Sequence, residues 1–306
     1  MATLMHTSGN QSTSPETQEK RLFPIRLIAE QTGINPVTLR AWERRYGLIQ
    51  PERTAKGHRM YREDDLRRIF RIKEWLERGV AVSQVKALLD NQTTSSGTDF
   101  AVTDTEMPEW SGLVSQSADW LSQGLITRFD QQLNQLTAIY PVQMLNQFFW
   151  PPLLDFIYRA GEYQQLIRIQ FYAWLRNRTG IRLSHRNMPS ATRPVWLLAP
   201  VPGQTMDPEL CLTALTCADL NIPVLMLDSL PEWSFLHLLE EQKNLTGIVL
   251  FTREKLPEFS KSEHQMLNSL KSPLYLSGAA CVLHQGDSMP WQACTSWSEL
   301  NFISQE

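Results

Sequence analysis

Apolar residues recur at helical spacing in the first part of the chain, in short stretches separated by turn residues. Ile25, Ile28 and Ala29 fall at i, i+3 and i+4, which predicts a short helix with one buried face. Gly33 then predicts a turn before a second helical stretch. Two short helices across a tight, glycine-containing turn are typical of a helix-turn-helix motif.

The second helix carries both an apolar face and a basic face. Asn35 is a favourable N-cap and Pro36 suits the first helical position, so the helix is predicted to start there and to end at about Tyr46, before Gly47. The face expected to turn to the core consists of Leu39, Trp42 and Tyr46. The outward face, which would offer hydrogen-bond donors to phosphates and guanine edges, consists of Thr38, Arg40, Arg44 and Arg45.

The stretch 48–61 predicts a basic hairpin after this helix. Pro51 and Gly57 are turn residues, and Arg59 and Tyr61 fall on one face of a strand at period two. A hairpin with such a rim would follow the DNA backbone beside the groove.

Two further helices are predicted to complete this part. The acidic cluster Glu63–Asp65 suits the positive end of a helix dipole and marks the start of the third helix, and Gly79 is expected to end it. Its apolar stripe consists of Leu66, Ile69, Phe70 and Leu76. A last short helix, Val82–Leu89, would close a winged four-helix domain.

The middle of the chain is helical and aromatic in pattern. A polar segment at 91–109 precedes it and is predicted to uncouple it mechanically from the head. From 110 to 180, residues such as Phe129, Phe149 and Trp174 stand at helical spacing. This pattern predicts a four-helix bundle with a kink at Pro151–Pro152.

The last third alternates short apolar runs with helical segments. The runs, typical of buried parallel strands, are Val195–Ala199, Val224–Leu227, Ile248–Phe251 and Leu274–Leu276. The helical segments between them are Pro208–Leu220, Pro231–Gln242 and Ser260–Leu270. This alternation predicts a small doubly wound α/β domain, in which a ligand would sit beyond the carboxyl ends of the strands. The loops at that edge are Pro200–Asp207 and Leu276–Ala280, and the alternative is that they only connect elements.

The chain is therefore predicted to be multidomain. Its fold class combines an all-α winged helix-turn-helix head, a four-helix bundle and a flavodoxin-like α/β doubly wound domain. A length of 306 residues suits this, at roughly 150 residues per domain. The predicted parts are a disordered tail at 1–20, a DNA-binding domain at 21–90, a linker at 91–109, the bundle at 110–185 and an α/β regulatory domain at 190–306.

A formal net charge of −3 hides a strong asymmetry. Residues 21–90 hold 15 Lys/Arg and 9 Asp/Glu, whereas the rest of the chain holds 14 and 23. A basic head of this kind is the electrostatic footprint of a nucleic-acid partner. The alternative is that the arginines form the solvated face of an ordinary small helical domain.

Other function classes find less support in the sequence. No secretory signal and no apolar stretch of membrane-spanning length is visible, so a cytoplasmic location without membrane contact is expected. We find no phosphate-binding glycine loop, metalloprotease motif or nucleophile elbow, so we predict no enzyme, no catalytic residue and no metal site. The four cysteines form neither a disulfide framework nor a ligand pattern. Asp207 and Glu209 could act as a general acid or base, but a helix cap before Pro208 is the favoured interpretation.

The run from Thr38 to Leu48, followed by Pro51, Arg53 and Gly57-His58-Arg59-x-Tyr61, resembles the DNA-binding domain of the MerR family. The resemblance covers roughly residues 22–90. It implies groove or phosphate contacts by Arg40, Arg44 and Tyr46, and wing contacts by Arg53, His58, Arg59 and Tyr61. Tyr46 could instead be a core residue and His58 a turn residue. With the basic neighbours, the candidate DNA-binding residues are Thr38, Arg40, Arg44, Arg45, Tyr46, Arg53, Lys56, His58, Arg59 and Tyr61.

The order of head, bundle and α/β domain resembles the CarH/MlrA-type subgroup, whose light-sensing members bind cobalamin. In those members a Trp-x-x-Gly-Glu segment and a Glu-His pair cap the cofactor, and a histidine after the first α/β strand ligates it. This chain has Tyr158 for the tryptophan, Arg168-Ile169 for the Glu-His pair, and no histidine in the loop 200–207. The resemblance therefore implies a degenerate domain that binds no cofactor; His237, His264 and His284 are expected to be ordinary surface or core residues.

Together these observations predict a sequence-specific transcriptional regulator that binds double-stranded promoter DNA as a dimer or larger homo-oligomer. The α/β domain would sense a small ligand or a partner such as RNA polymerase or a regulatory protein. Two alternatives stay open at this point: a cobalamin-dependent light sensor with non-standard ligands, and an enzyme with an appended DNA-binding head.

Overall fold

A computed structural model describes residues 21–78, 80–92, 110–159, 161–186, 194–257, 259–284 and 289–294. The predicted tail at 1–20, most of the predicted linker and the predicted helix stop at Gly79 lie outside the described residues.

The head combines four α-helices with a small antiparallel sheet. Its elements are β1 Phe23–Pro24, α1 Ile25–Thr32, α2 Pro36–Ala41, a π-helical turn Trp42–Tyr46, β2 Glu52–Arg53, β3 Arg59–Tyr61, α3 Glu63–Glu77 and α4 Val82–Gln92. The three strands lie in the order β1-β3-β2. The prediction of an all-α head is therefore wrong in one respect: the predicted wing hairpin pairs with a third strand, β1, which is too short to leave a period-two pattern.

The helix boundaries follow from local chemistry. The Asn35 side chain accepts a hydrogen bond from Val37 N at 2.9 Å, and Pro36 opens α2. Gly33 and Gly47 adopt left-handed φ angles of 69° and 58°, which end α1 and the π-helical turn. These predicted caps are confirmed.

The predicted apolar faces of the head are largely confirmed. Ile28, Leu39 and Trp42 have no exposed surface. Phe70 is an exception, because its side chain is 41% exposed and Ile72 takes the buried position on α3 instead. The i+3/i+4 pattern admitted either residue, and packing against α1 and α4 selects the face that carries Ile72.

The middle of the chain, here called the middle helices, is helical as expected. Its elements are α5 Trp110–Ser122, α6 Ile126–Ile139, α7 Val142–Met144, a π-helical turn Leu145–Phe149, α8 Trp150–Ile157 and α9 Glu162–Arg186. The irregularity expected at the double proline takes the form of this π-helical turn. Pro151 and Pro152 lack N–H groups and crowd the preceding turn, so the helix widens just before them.

The last part is a parallel five-stranded sheet with helices. Its elements are β4 Val195–Pro200, α10 Pro208–Leu220, β5 Val224–Met226, α11 Phe235–Gln242, β6 Leu245–Phe251, α12 Lys261–Asn268, β7 Leu274–Ser277, a 3-10 turn Cys281–His284 and β8 Gln292–Ala293. The strand order is β5-β4-β6-β7-β8, with every neighbour parallel. The four predicted strands and three predicted helices are present; β8 was missed because two residues carry no periodicity.

The two faces of the sheet belong to different cores. Trp196 and Leu198 on β4 pack into a core that also contains Trp42 of the head and Phe171 of the middle helices. Leu197 and Ala199, on the opposite face, belong to a second core with α11 and α12. The prediction that the head is mechanically uncoupled is therefore wrong, since head, middle helices and one sheet face share a continuous core.

No helix among the described residues is both long enough and apolar enough to cross a membrane.

Candidate nucleic-acid interface

The outward face of α2 and its π-helical turn presents cations to solvent. Arg44 and Arg45 are exposed and Arg40 is half-buried, while Val37 beside them is 44% exposed. Tyr46 is half-buried and packs against the core. The structure thus brings the three predicted arginines together on one surface, and it gives Tyr46 a packing contact as well.

Glu43 joins this helix to the wing. Its carboxylate accepts a hydrogen bond from Arg53 Nη2 at 2.8 Å and another from Arg59 Nε. Burial raises the pKa of Glu43, but the hydrogen bonds from Arg59 and Arg53 outweigh it and hold the pKa below its ordinary value. The Arg59 side chain is only 18% exposed. The ion pairs with Glu43 fix the positions of the Arg53 and Arg59 guanidinium groups on the wing.

Glu43 is a residue of this candidate interface that sequence reasoning missed. It stands directly before Arg44 and Arg45, where a single acid inside a basic run is the available signal. Its partners lie 10 and 16 residues away, across the hairpin, so local pattern could not reveal the pairing.

The tip of the wing is an exposed turn. Gly57 adopts a left-handed φ of 80°, Thr54 N donates to His58 O at 2.9 Å, and the Thr54 hydroxyl accepts from His58 N at 3.1 Å. Lys56 and His58 are exposed at this turn. Both predicted wing residues are therefore accessible to a nucleic acid.

Thr38 and Tyr61 lie elsewhere. Both have no exposed surface, and neither hydroxyl has a hydrogen-bond partner among the described residues. Burial raises the pKa of Tyr61 to about 12, so its hydroxyl stays neutral. A direct DNA contact by Thr38 or Tyr61 does not fit this conformation, because the middle helices cover Thr38 and the head core encloses Tyr61. The period-two pattern correctly put Tyr61 on the same strand face as Arg59. It could not show that the head core covers the Tyr61 end of that face.

The second candidate site lies at the carboxyl edge of the parallel sheet, where the predicted loop 200–207 meets the end of β6. Arg253 Nε lies 3.0 Å from Asp207 Oδ2, and Arg253 Nη1 donates to the Tyr172 hydroxyl at 2.6 Å. The guanidinium also sits 4.4 Å from the centre of the Tyr158 ring. The Gln204 amide oxygen accepts from Arg253 N at 2.9 Å. We call this set of five residues the arginine bridge.

Burial shapes the ionisation of the acids here. Asp207 is 3% exposed and caps α10 by accepting from Glu209 N at 2.7 Å, which confirms the capping interpretation. Burial raises the pKa of Asp207, although Arg253 counteracts it. Burial, with a contribution from Asp207, raises the pKa of Glu209 to about 7.

Cobalamin does not fit this edge. The arginine bridge links the loop 200–207 to the middle helices, and the Arg253 guanidinium stacks on Tyr158, at the position of the family's tryptophan. On α9, Ile169 is 60% exposed and has no ligating atom, while Arg168 carries a cation. Among the described residues at this edge, none supplies the ligating side chains that the resemblance implies for a corrin.

Three histidines outside the wing have structural partners. His237 Nε2 lies 3.0 Å from Met266 O, His264 packs edge-on to Phe259, and His284 Nε2 accepts from Leu256 N at 2.9 Å. Cys211 and Cys217 are buried and form no disulfide. Within the described ranges, no group of three or more His, Cys, Asp or Glu is arranged to hold a metal ion.

Comparison with known proteins finds a family match in the head. Residues 23–92 match the model of the MerR HTH family regulatory proteins. The chain is 36% identical over 132 residues to the HTH-type transcriptional regulator MlrA of Escherichia coli K12, which covers 43% of this chain and 50% of that protein. It is 51% identical over 73 residues to MlrA of Salmonella typhimurium SL1344, over 24% of this chain and 30% of that protein.

A further relative is the HTH-type transcriptional repressor CarH of Myxococcus xanthus, 39% identical over 70 residues, or 23% of each chain. The chain matches half or less of the length of each of these three relatives. The family match at residues 23–92 includes the basic surface of α2 and the wing.

Proposed function

Because the chain carries a MerR-family helix-turn-helix domain of the MlrA and CarH type at residues 23–92, we propose that it is a sequence-specific regulator of transcription that binds double-stranded promoter DNA. The observation that carries this proposal is the surface on which Arg40, Arg44 and Arg45 stand together, beside a wing whose tip exposes Lys56 and His58. Promoter DNA as the partner puts its site of action in the cytoplasm.

In the proposed complex, α2 lies in the major groove. Arg40 and Arg44 stand one turn apart and reach base edges or flanking phosphates, because guanidinium groups match the O6 and N7 acceptors of guanine. Arg45, Lys56 and His58 bind phosphates, and these contacts set the register without reading sequence. Tyr46 supports the end of the helix.

Glu43 has an indirect role in this proposal. It holds Arg53 and Arg59 on the wing at a fixed distance from the π-helical turn, so that wing and recognition helix meet the duplex as one unit. Arg53, which is half exposed, has cation surface left for a phosphate.

The protein binds as a dimer or larger homo-oligomer, with two heads on half-sites related by twofold symmetry. Helix-turn-helix dimers place recognition helices about one helical turn of DNA apart, which makes a palindromic site the expected target. RNA polymerase or a regulatory protein is a further partner that a promoter-bound dimer would meet.

The four-helix bundle and the flavodoxin-like α/β domain form the regulatory part. Strand order β5-β4-β6-β7-β8 supports the flavodoxin-like assignment, because the first strand in sequence stands second in the sheet. The arginine bridge at the carboxyl edge supports a regulatory domain that works without cobalamin and without catalysis. Its role is to sense a small ligand at another surface, a partner protein or the assembly state of the chain.

The proposal is tested by selecting bound duplexes from a random pool with the full chain. Enrichment of a twofold-symmetric motif is expected, and a pool that stays random would contradict sequence-specific binding. The affinity for the selected duplex should fall steeply with salt, since a dimer neutralises on the order of 6 to 10 phosphates. A flat salt response would contradict the proposed basic surface.

A further inference from the structure

The recognition helix has a back face that the head alone does not cover. Thr38 and Trp42 stand at i and i+4 on this face, and both have no exposed surface. Arg40 and Arg44 occupy the opposite side of the same helix. The covered face and the DNA-facing surface are therefore separate.

The covering element is the corner at the end of α6. Trp42 Nε1 donates to the carbonyl of Ile139 at 2.9 Å, across 97 residues of sequence. Ile139 is the last residue of α6, whose final carbonyls have no partner within the helix. Trp42 therefore supplies a hydrogen bond that the end of α6 needs.

The next residue holds a second part of the head. Tyr140 is buried beside Val82 at the start of α4; burial raises the pKa of Tyr140, and the nearby backbone N–H of Val82 partly counteracts it. Its ring packs 4.9 Å from that of Trp110, the first residue of α5. Residues 139 and 140 thus fasten α2 and α4 to the middle helices at one point, which we call the corner.

The junction at the corner is not saturated with hydrogen bonds. Thr38 Oγ1 and Gln143 Oε1 are buried there without a partner among the described residues. Thr38 and Tyr140 also line a small cavity between head and middle helices. Buried polar atoms without partners disfavour the closed contact, so this junction is easier to part than an apolar core.

The π-helical turn begins at the anchored residue. Trp42 opens the turn Trp42–Tyr46, which contains Arg44 and Arg45. The direction of these arginines therefore depends on where Trp42 is held. π-Helical turns store a local distortion that a tertiary contact must maintain.

We propose that the corner, through Trp42 and Tyr140, positions the recognition helix, so that operator affinity depends on the docked state of the middle helices. This inference rests on the proposed DNA-binding function. The docked state is the binding-competent one, because docking leaves the arginine surface exposed while it fixes the turn that presents it. By linkage, operator binding in turn strengthens the contact at the corner.

The first test uses Tyr140→Phe and Trp42→Phe in the full chain, with Tyr163→Phe and Trp233→Phe as matched controls away from the junction. Loss of the hydrogen bond from Trp42 to Ile139, or of the buried Tyr140 hydroxyl beside α4, should weaken operator binding about three- to tenfold while binding to scrambled duplex stays unchanged. The controls should bind as the parent chain does. Operator affinity equal to that of the parent in both corner variants would overturn the inference.

The second test needs no substitution, and it separates this inference from the proposed function. Hydrogen exchange of the amides at 139–145 is compared with and without the selected duplex. Slower exchange on binding is expected, although these residues stand behind the DNA-facing surface. Unchanged exchange under conditions in which the parent chain binds the duplex would overturn the corner's role and leave the proposed function intact, whereas absence of duplex binding would overturn both.

Discussion

The head and the carboxyl edge of the sheet both use arginine–carboxylate pairs, with opposite results. In the head, Glu43 is near the surface and its two arginine partners hold a wing beside an open basic face. At the sheet edge, Asp207 is almost fully buried and its partner Arg253 links it to Tyr172 and Tyr158 of the middle helices. The same kind of ion pair holds the wing beside exposed arginines in one region and joins the sheet edge to the middle helices in the other.

The difference shows which region presents accessible cations. An exposed, unpaired cation can bind an anionic partner, whereas a cation paired with a buried carboxylate stabilises the fold. Arg44, Arg45 and Lys56 are exposed, and Arg253 is engaged by Asp207, Tyr172 and Tyr158. The four predictions below, in order of decreasing effect, test this contrast.

The largest effect is expected from Asp207→Ala. The change removes the cap of α10 and leaves Arg253 without its buried partner, so the free energy of unfolding should fall by about 2–4 kcal/mol. Chemical denaturation measures it. Because the change is remote from the head, operator affinity well below the unfolding transition should stay within about twofold. A variant as stable as the parent would show that the arginine bridge does not stabilise the fold.

Arg44→Ala should weaken operator binding by about 1–3 kcal/mol and relax the preference at one base pair of each half-site. Arg67→Ala is the matched control, because Arg67 is an exposed arginine of the head paired only with Glu63 and Asp64 on its own helix. Fluorescence anisotropy against single-base variants of the operator measures both. A uniform loss on all sequences would make Arg44 a phosphate contact instead.

Glu43→Gln should weaken operator binding by roughly 1 kcal/mol, because the wing loses a charged hydrogen-bond acceptor for Arg53 and Arg59. The pKa of Glu43 is lowered, so its stabilising pair is present above the ordinary carboxyl range and is lost as the pH falls through the lowered folded value. The contribution of Glu43 to the parent's affinity should thus be constant from neutral pH down to about pH 5. A gain in affinity in Glu43→Gln would mean that Glu43 competes with DNA for the arginines.

The smallest effect concerns pH and Glu209. Its pKa is raised to about 7, so the folded state holds a proton that the unfolded chain releases above its ordinary value near 4.5. The free energy of unfolding should therefore be highest below that value and fall as the pH rises toward 7, at a slope under about 1.4 kcal/mol per pH unit. In Glu209→Gln the slope should diminish. An unchanged slope would assign the pH dependence to another group.

Local signals predicted the elements that depend on neighbours in sequence. Asn35, Pro36 and Gly47 marked the ends of the recognition helix, and α10 begins and ends where Pro208 and its pattern predicted. These features succeed because capping and left-handed turns involve residues within one helical turn.

Features that depend on distant partners could not be predicted in this way. Thr38 looks like an outward residue until α6 covers it, and nothing near Trp42 indicates a bond to Ile139. The arginine bridge likewise joins Tyr158, Tyr172, Asp207 and Arg253, which lie on separate elements. The absence of a histidine at 200–207 predicted that cobalamin would not bind in the usual mode, and the sequence did not indicate the contacts of Arg253 at this edge.

The most direct test of the central proposal is the affinity of the full chain for its selected duplex and for a scrambled duplex, measured beside the double variant Arg40→Ala/Arg44→Ala. The parent should prefer the selected duplex by on the order of a thousandfold at physiological salt. The double variant should lose most of this preference and keep its weak binding to scrambled DNA. Equal affinities of the parent for the two duplexes, or a double variant with undiminished preference, would contradict sequence reading by the recognition helix.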